Sequence, residues 1–225
     1  MGKARQLLIA LALSGVVSPC SGAIPAVAEG CGDPFDRGGF GPFDYTNSEH
    51  QDQMYRVTSE HFTPSVEALQ AGATSENLMH DLDFTLRAIP NHHRALYAML
   101  RHKLNPAGKQ SGYKTPECYF QRALQFKPTD GVVHMLFGIY LYGNGDMQES
   151  LEELQQAVKI MPSSAEAHYN LGLVSLAVKD HEAARKHAQE AYRLGYPLPG
   201  LRERLQELGV WEESSSHVET PQAQP

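Results

Sequence analysis

A proline recurs along this chain at a nearly fixed spacing, each time five residues after a small side chain. The pairs are Thr85 and Pro90, Ala123 and Pro128, Ala157 and Pro162, and a weakened copy, Ala191 with Tyr196-Pro197. The spacings are 38 and 34 residues, followed by 34 more to position 196. Proline ends a helix, and about 34 residues hold two helices with their turns, so the period predicts stacked helical hairpins.

Residues 1–28 have the features of a signal peptide. Lys3 and Arg5 precede an apolar run of 11 residues, Leu7 to Val17. That run is shorter than the roughly 20 residues that a membrane-spanning helix needs. Two small-x-small cleavage sites follow, Ser21-Gly22-Ala23 and Ala26-Val27-Ala28. We therefore expect an exported protein, periplasmic or secreted, without a membrane span.

A lipoprotein signal is the alternative for this segment, with Cys20 as the acylated residue. Pro19 stands where a lipobox has glycine or alanine. A lipid anchor at Cys20 is therefore not favoured.

The chain that remains after residue 28 is acidic. The whole sequence has 19 Lys and Arg, 26 Asp and Glu and a formal charge of −7; removing Lys3 and Arg5 brings this to −9. Binding to nucleic acid phosphates needs a basic surface, so we expect no nucleic acid partner.

Two cysteines remain after residue 28, Cys31 and Cys118. In an oxidising compartment an even number of cysteines favours a disulfide. The alternative is a buried Cys118 on a helix and a free Cys31 in a mobile arm.

Residues 29–62 predict an irregular N-terminal arm, because glycine, proline, aspartate and asparagine crowd this segment. Four aromatic side chains are interleaved among them, Phe35, Phe40, Phe43 and Tyr45. They favour an arm that is ordered on a helical body; the alternative is a disordered leader.

An all-α solenoid is predicted for residues 63–211, and a disordered polar tail for 212–225. It opens on an atypical pair: a short helix from Thr63-Pro64 to Gly72, and a helix capped by Thr74 or Ser75 that Pro90 ends. About three repeats follow. Their expected helices include His93 to Leu104, a second one from Thr115-Pro116, Met147 to Ile160, His181 to Leu194, and a capping helix Gly200 to Leu208 on which Trp211 folds back.

Three registers of this pattern resemble the tetratricopeptide repeat (TPR) family over residues 74–209. The matching residues are Phe120, Ala123 and Pro128; Phe137, Gly138, Ala157 and Pro162; and His168, Leu171, Gly172, Ala184 and Ala191. Leu100 stands where the family has glycine, and the usual first-position tryptophan is missing. The resemblance implies an all-α, TPR-like solenoid of helical hairpins.

The resemblance also implies a concave face, lined by first helices, that binds a protein or peptide. The corresponding positions here are Arg94, Tyr97, Arg101, Met135, Ile139, Tyr142, Tyr169, Leu173 and Leu176. For Met135 and Ile139 the alternative is packing against the next hairpin. The implied function is an exported TPR scaffold, an assembly or adaptor factor of an envelope or secretion system.

Eleven histidines raise the question of a metal site. The densest cluster is Asn91-His92-His93 with His102, but no His-x-x-x-His or Cys-x-x-Cys pattern occurs. We predict no metal site, no cofactor and no enzymatic activity. The alternative is a metal-handling or enzymatic envelope protein that uses the arm and the histidines.

Overall fold

The computed structural model describes residues 30–35, 39–74, 76–104 and 113–212. After a 3-10 turn at Ser48–His50, the α-helices are α1 Gln51–His61, α2 Pro64–Glu67, α3 Leu78–Ala88, α4 His93–Leu104, α5 Pro116–Phe126, α6 Gly131–Asn144, α7 Met147–Ile160, α8 Ala165–Ala177, α9 His181–Arg193 and α10 Gly200–Glu207. These residues contain no β-strand, which confirms the all-α prediction. The proposed signal peptide, with Cys20, and residues 213–225 lie outside the described residues.

Successive hairpins make up the body, as the 34-residue period predicts. Helices α4 and α5, α6 and α7, and α8 and α9 pack in pairs, while the first helices α4, α6 and α8 contact one another in turn. Helix α10 packs on α8 and α9 as a terminal cap. Trp211 folds back on this cap, with the Arg202 guanidinium 5.3 Å from the centre of its indole ring.

The opening unit differs from the sequence expectation, because a helix precedes Thr63. Helix α1 packs against α3, so α1 is the main partner of α3. Val57 is the only buried residue of α1. A helix with so few apolar contacts leaves no hydrophobic stripe for a sequence pattern to detect.

The opening unit keeps one of its predicted caps. Thr63 is the N-cap residue of α2 and Pro64 its first residue, as predicted, although the Thr63 side chain makes no capping hydrogen bond and α2 ends at Glu67 rather than near Gly72. The predicted cap of the next helix was wrong. Helix α3 is capped by Asn77, whose side chain accepts from the backbone N–H of Met79. Thr74 instead donates its hydroxyl to the buried carboxylate of Asp81, at 2.6 Å. Ser75 lies outside the described residues.

The N-terminal arm lies on α3 and α5. Phe43 and Tyr45 pack against the buried Ile89, and the N–H of Phe43 donates to the carbonyl of Ala88 at 2.8 Å. Gly41 has φ +116°, and a Cβ there would lie 2.4 Å from the same carbonyl oxygen. The close approach of the arm to the end of α3 therefore requires glycine at this position.

A disulfide joins Cys31 of the arm to Cys118 in the first turn of α5, as the cysteine count favoured. The two Cα atoms are 5.0 Å apart, and the cysteines are 87 residues apart in sequence. Closing so long a loop in the unfolded chain stabilises the fold by about 4–5 kcal/mol in the chain-entropy model.

One hydrogen bond recurs in the second and third repeats and links the histidine to the proline of the pattern. His134 Nε2 donates to the carbonyl of Pro128 at 2.9 Å, and His168 Nε2 donates to that of Pro162 at 3.1 Å. The bond fastens the turn before each repeat to the first helix that follows it. The recurrence of histidine at a 34-residue spacing therefore has a structural cause.

The other ring nitrogen of each histidine meets a different partner. His134 Nδ1 lies 2.6 Å from the Glu153 carboxylate, and His168 Nδ1 lies 3.0 Å from His187 Nδ1. Burial opposes the charge of His134, but its hydrogen bonds with Glu153 and the Pro128 carbonyl, together with the nearby carboxylate charges, outweigh this and raise the pKa of His134. Burial, and then the charge of His168, lowers the pKa of His187 to about 4.

His187→Glu should protect the fold against acid. Wild-type His187 is neutral in the fold down to about pH 4, while in the unfolded chain it takes up a proton near pH 6.5. Its contribution to stability is therefore complete above pH 6.5 and decreases as the pH falls toward 4. H187E removes this loss and gives His168 the carboxylate partner that His134 has.

Thermal unfolding between pH 7.5 and 4.5 measures the effect. The melting temperature of H187E should fall less than that of the wild type, whereas Gln155→Glu, which adds a carboxylate at an exposed position of α7, should not improve acid tolerance. Parallel pH profiles for H187E and the wild type would contradict the assignment.

The glycine shared by the second and third repeats lies where helices cross closely. A Cβ on Gly138 would be 2.6 Å from Leu154 Cγ and 3.2 Å from the carbonyl oxygen of Ser150. A Cβ on Gly172 would be 2.7 Å from Leu201 Cδ2. The missing side chains thus allow α6 to approach α7 closely, and α8 to approach the cap α10.

Gly138→Ala should destabilise the protein by roughly 1–3 kcal/mol, because the added methyl overpacks a close crossing. Gly143→Ala is the matched control, since Gly143 is exposed in the last turn of the same helix. Alanine there gains up to about 1 kcal/mol of helix propensity. Chemical denaturation compares the two; equal midpoints would contradict the close crossing.

Candidate partner-binding face

The outward positions of α4, α6 and α8 form the first-helix face. Its predicted members are Arg94, Tyr97, Arg101, Met135, Ile139, Tyr142, Tyr169, Leu173 and Leu176. Because α4 contacts α6 and α6 contacts α8, these residues lie on three neighbouring helices. They differ in how far they are open to a partner.

The α4 part of this face is basic, but Glu67 holds both of its arginines. Arg94 Nε donates to one Glu67 carboxylate oxygen at 2.7 Å, and its Nη2 bonds the other oxygen. Arg101 Nη2 donates to the backbone carbonyl of Glu67 at 3.0 Å. The hydrogen bond from Arg94 holds the pKa of Glu67 below its usual value. Arg94 is thus already paired with a carboxylate in the free chain.

Tyr97 is the open aromatic residue of α4. Its side chain is 49% exposed, and the guanidinium of Arg101 lies 5.5 Å from the centre of its ring. A half-exposed tyrosine beside a cation offers apolar area together with a hydroxyl. This arrangement suits an anchor for a partner side chain.

Helix α6 contributes one core residue and two residues of the surface. Met135 is only 6% exposed and packs among buried residues of α6, α7 and α8. Ile139 and Tyr142 are partly buried at the edge of the same cluster. The alternative of packing against the next hairpin therefore holds for Met135 and, in part, for Ile139.

Tyr169 of α8 lies in the core. It is 8% exposed, and its ring is stacked on that of Tyr196 with the centroids 4.1 Å apart. Tyr196 occupies the position where the earlier repeats have proline. The sequence shows this difference but does not predict that Tyr196 stacks on Tyr169. Leu173 and Leu176 are partly buried beside this pair.

Seven of the nine predicted members are exposed or partly exposed, and five of these are apolar or aromatic: Tyr97, Ile139, Tyr142, Leu173 and Leu176. Arg94 and Arg101 border this group with Glu67, a residue that the sequence pattern did not single out. Met135 and Tyr169 belong to the core that supports it.

The histidine cluster at the start of α4 has structural partners. His93 Nε2 lies 2.9 Å from a carboxylate oxygen of Asp130, and His92 Nδ1 accepts from the backbone N–H of Ala95 at 3.1 Å. Burial lowers the pKa of His92 to about 3. Over the described ranges, no three His, Cys, Asp or Glu side chains are arranged to hold a metal ion.

Among the helices of the described residues, none combines the length and the apolar character needed to cross a membrane.

The comparisons with known proteins agree with this repeat architecture. A TPR repeat family model matches residues 140–177, from the C-terminal part of α6 through α8. No curated protein matches the chain in sequence. The TPR resemblance is confirmed for these residues, and such repeats support a protein-interaction scaffold.

Two solved structures are similar to the chain. PilF of Pseudomonas aeruginosa is 18% identical over 72% of this chain and 70% of that one, with a TM-score of 0.50. The MamA RS-1 ArsTM double mutant is 18% identical over 72% of this chain and 80% of that one, with a TM-score of 0.45. At this identity the likeness to PilF shows the fold alone.

Tyr169→Ala should destabilise the protein by about 3 kcal/mol or more, because it leaves a cavity under α8. Tyr97→Ala should change stability by less than about 1 kcal/mol, since that ring is half exposed. The free energy of unfolding of each variant, from chemical denaturation, tests this difference. Similar losses of stability for the two variants would contradict the assignment of Tyr169 to the core and Tyr97 to the surface.

Proposed function

We propose that this chain is an exported TPR scaffold that binds a segment of another protein along its first-helix face. It acts without catalysis or a cofactor, as an assembly or adaptor factor of an envelope or secretion system.

The observation that carries the proposal is the run of open apolar and aromatic side chains on successive first helices. Tyr97 on α4, Tyr142 on α6 and Leu176 on α8 are each at least partly exposed. An amphipathic helix or an extended segment binds such a groove through a few anchors. The rest of the contact then serves mainly to exclude water.

The preformed pair of Arg94 and Glu67 indicates what kind of segment fits best. The bidentate bond already satisfies the charge of Arg94. A strongly acidic segment would have to compete with Glu67 for this arginine. We therefore expect a partner segment that is mainly apolar, with a polar contact to Tyr97 or Arg101.

Export is supported by the signal-peptide features of residues 1–28 and by the disulfide between Cys31 and Cys118. Disulfides persist in oxidising compartments and are rare in the cytosol. Mass spectrometry of the N-terminus of the mature protein provides a direct test. We expect cleavage after Ala23 or Ala28, and an intact Met1 terminus in the cytosol would reject export.

Site-specific photocrosslinking in the native envelope tests the binding face. A photoreactive residue placed at Tyr97 or at Tyr142 should give the same crosslinked partner. The control position is Gln155, which is exposed on α7. Equal crosslinking from Gln155 would remove the support for the first-helix face.

The double variant Tyr97→Ala with Tyr142→Ala extends this test to affinity. Because a few anchors carry most of the energy of an interface, capture of that partner should fall at least about tenfold. The melting temperature of the variant should stay close to that of the wild type. Unchanged capture by a folded double variant would contradict the proposal.

A further inference from the structure

A cavity of about 300 Å³ lies between the N-terminal arm and the body, on the side of the second helices. The arm contributes Gly32, Asp33 and Phe40, and α3 contributes Phe84 and Arg87. Lys114 precedes α5, and Arg122 lies within that helix. None of these residues belongs to the first-helix face. A volume of this size suits a small molecule rather than a chain segment.

The floor of the cavity holds a buried arginine whose hydrogen-bonding capacity is not used up. Arg122 is 6% exposed, and its Nη1 donates to the backbone carbonyls of Cys31 at 3.3 Å and Asp33 at 3.1 Å. Its Nε is buried and has no hydrogen-bond partner. Burying a cation in this way is costly, and an anion bound beside the guanidinium would offset that cost.

Two further cations stand beside Arg122. Lys114 Nζ has one long contact, 3.5 Å, with the carbonyl of Gly30. Arg87 bonds Asp83 through Nε at 2.8 Å, and its guanidinium lies 5.4 Å from the centre of the Phe84 ring. Both side chains keep N–H groups that can donate to a ligand.

The charge of the cavity is opposite to that of the chain. Among the described residues, three cationic side chains line it against one carboxylate, Asp33, whose Oδ1 already accepts from the backbone N–H of Phe35 at 2.8 Å. The second nearby carboxylate, Asp83, is shared by Arg87 and the hydroxyl of Tyr119. In a protein of net charge −7, such a local excess of positive charge marks a site for an anion.

We propose that this cavity binds a small organic anion, whose carboxylate or phosphate group is held by Arg122 and Lys114 and whose apolar body lies between Phe40 and Phe84. Guanidinium groups bind such oxyanions with short, charge-assisted hydrogen bonds. The two phenyl rings provide the apolar wall that an inorganic ion would not use. The site is independent of the partner-binding function proposed above.

Isothermal titration calorimetry of the oxidised chain tests the site with four probes. Benzoate and phenyl phosphate carry the two candidate head groups on the same ring, benzamide lacks the charge, and inorganic phosphate lacks the ring. We expect at least one of the two aryl anions to bind at least tenfold more tightly than benzamide and than inorganic phosphate; which one does identifies the head group. Absence of binding by both aryl anions at millimolar concentration would overturn the proposal, as would equal binding of inorganic phosphate.

Variants locate the binding in the cavity. Lys114→Glu should lower the affinity for the more tightly bound aryl anion at least tenfold, and Arg87→Gln should lower it severalfold. Lys186→Glu on α9 is the control with the same charge change and should leave affinity nearly unchanged. Because Arg122→Gln removes a buried contact to the arm, its folding is measured first, and Lys114→Glu decides the test if it unfolds. Equal affinities for K114E, K186E and the wild type would place the anion elsewhere and overturn the assignment.

Discussion

The buried carboxylate of Asp130 is the interaction on which the arrangement of arm and repeats depends. It is only 4% exposed, and it accepts hydrogen bonds from Asn91 at 2.9 Å and His93 at 2.9 Å. It also caps α6 through the N–H of Val133. Burial alone would raise the pKa of Asp130, but the hydrogen bonds from His93, Asn91 and the Val133 N–H, together with the charge of His93, outweigh it and lower the pKa of the carboxyl. Removing His93 would leave the buried carboxylate without its ionic partner, at a cost of about 3–5 kcal/mol.

The Asp130 carboxylate helps to position both the first-helix face and the N-terminal arm. It joins the start of α4 to the start of α6, so it orients the helices that carry Tyr97 and Tyr142. Asn91 continues the network into the arm, where it donates to Asp44 and accepts from the N–H of Tyr45, each at 2.9 Å. The first-helix face and the position of the arm thus share one set of buried polar contacts. Such a set fixes geometry more strictly than apolar packing does, because hydrogen bonds are directional.

The parts of this fold that the sequence could predict are those with a period. The helices of the repeats follow from their prolines, and α7 begins and ends at the predicted residues. Helix α1 could not be recognised because Val57 is its only buried residue. At the candidate site, the helical period predicted which helices lie side by side. It could not predict that Tyr97 is exposed and Tyr169 is buried. That distinction depends on Tyr196, which is remote in sequence and stacks on Tyr169 only after the chain has folded.

The same reasoning explains why the cavity was invisible in the sequence and why it is a preorganised site. Its residues come from the arm, from α3 and from the vicinity of α5, and no motif connects them. The arm is attached on both sides of the segment that lines the cavity, by the disulfide at Cys31 and by Asp44, which Lys127 holds at 2.6 Å. Because both attachments exist before a ligand enters, Gly32, Asp33 and Phe40 are held near the body without the ligand. Binding to a preorganised site costs little chain entropy. The affinity for a ligand then depends mainly on its contacts with the cations and the phenyl rings.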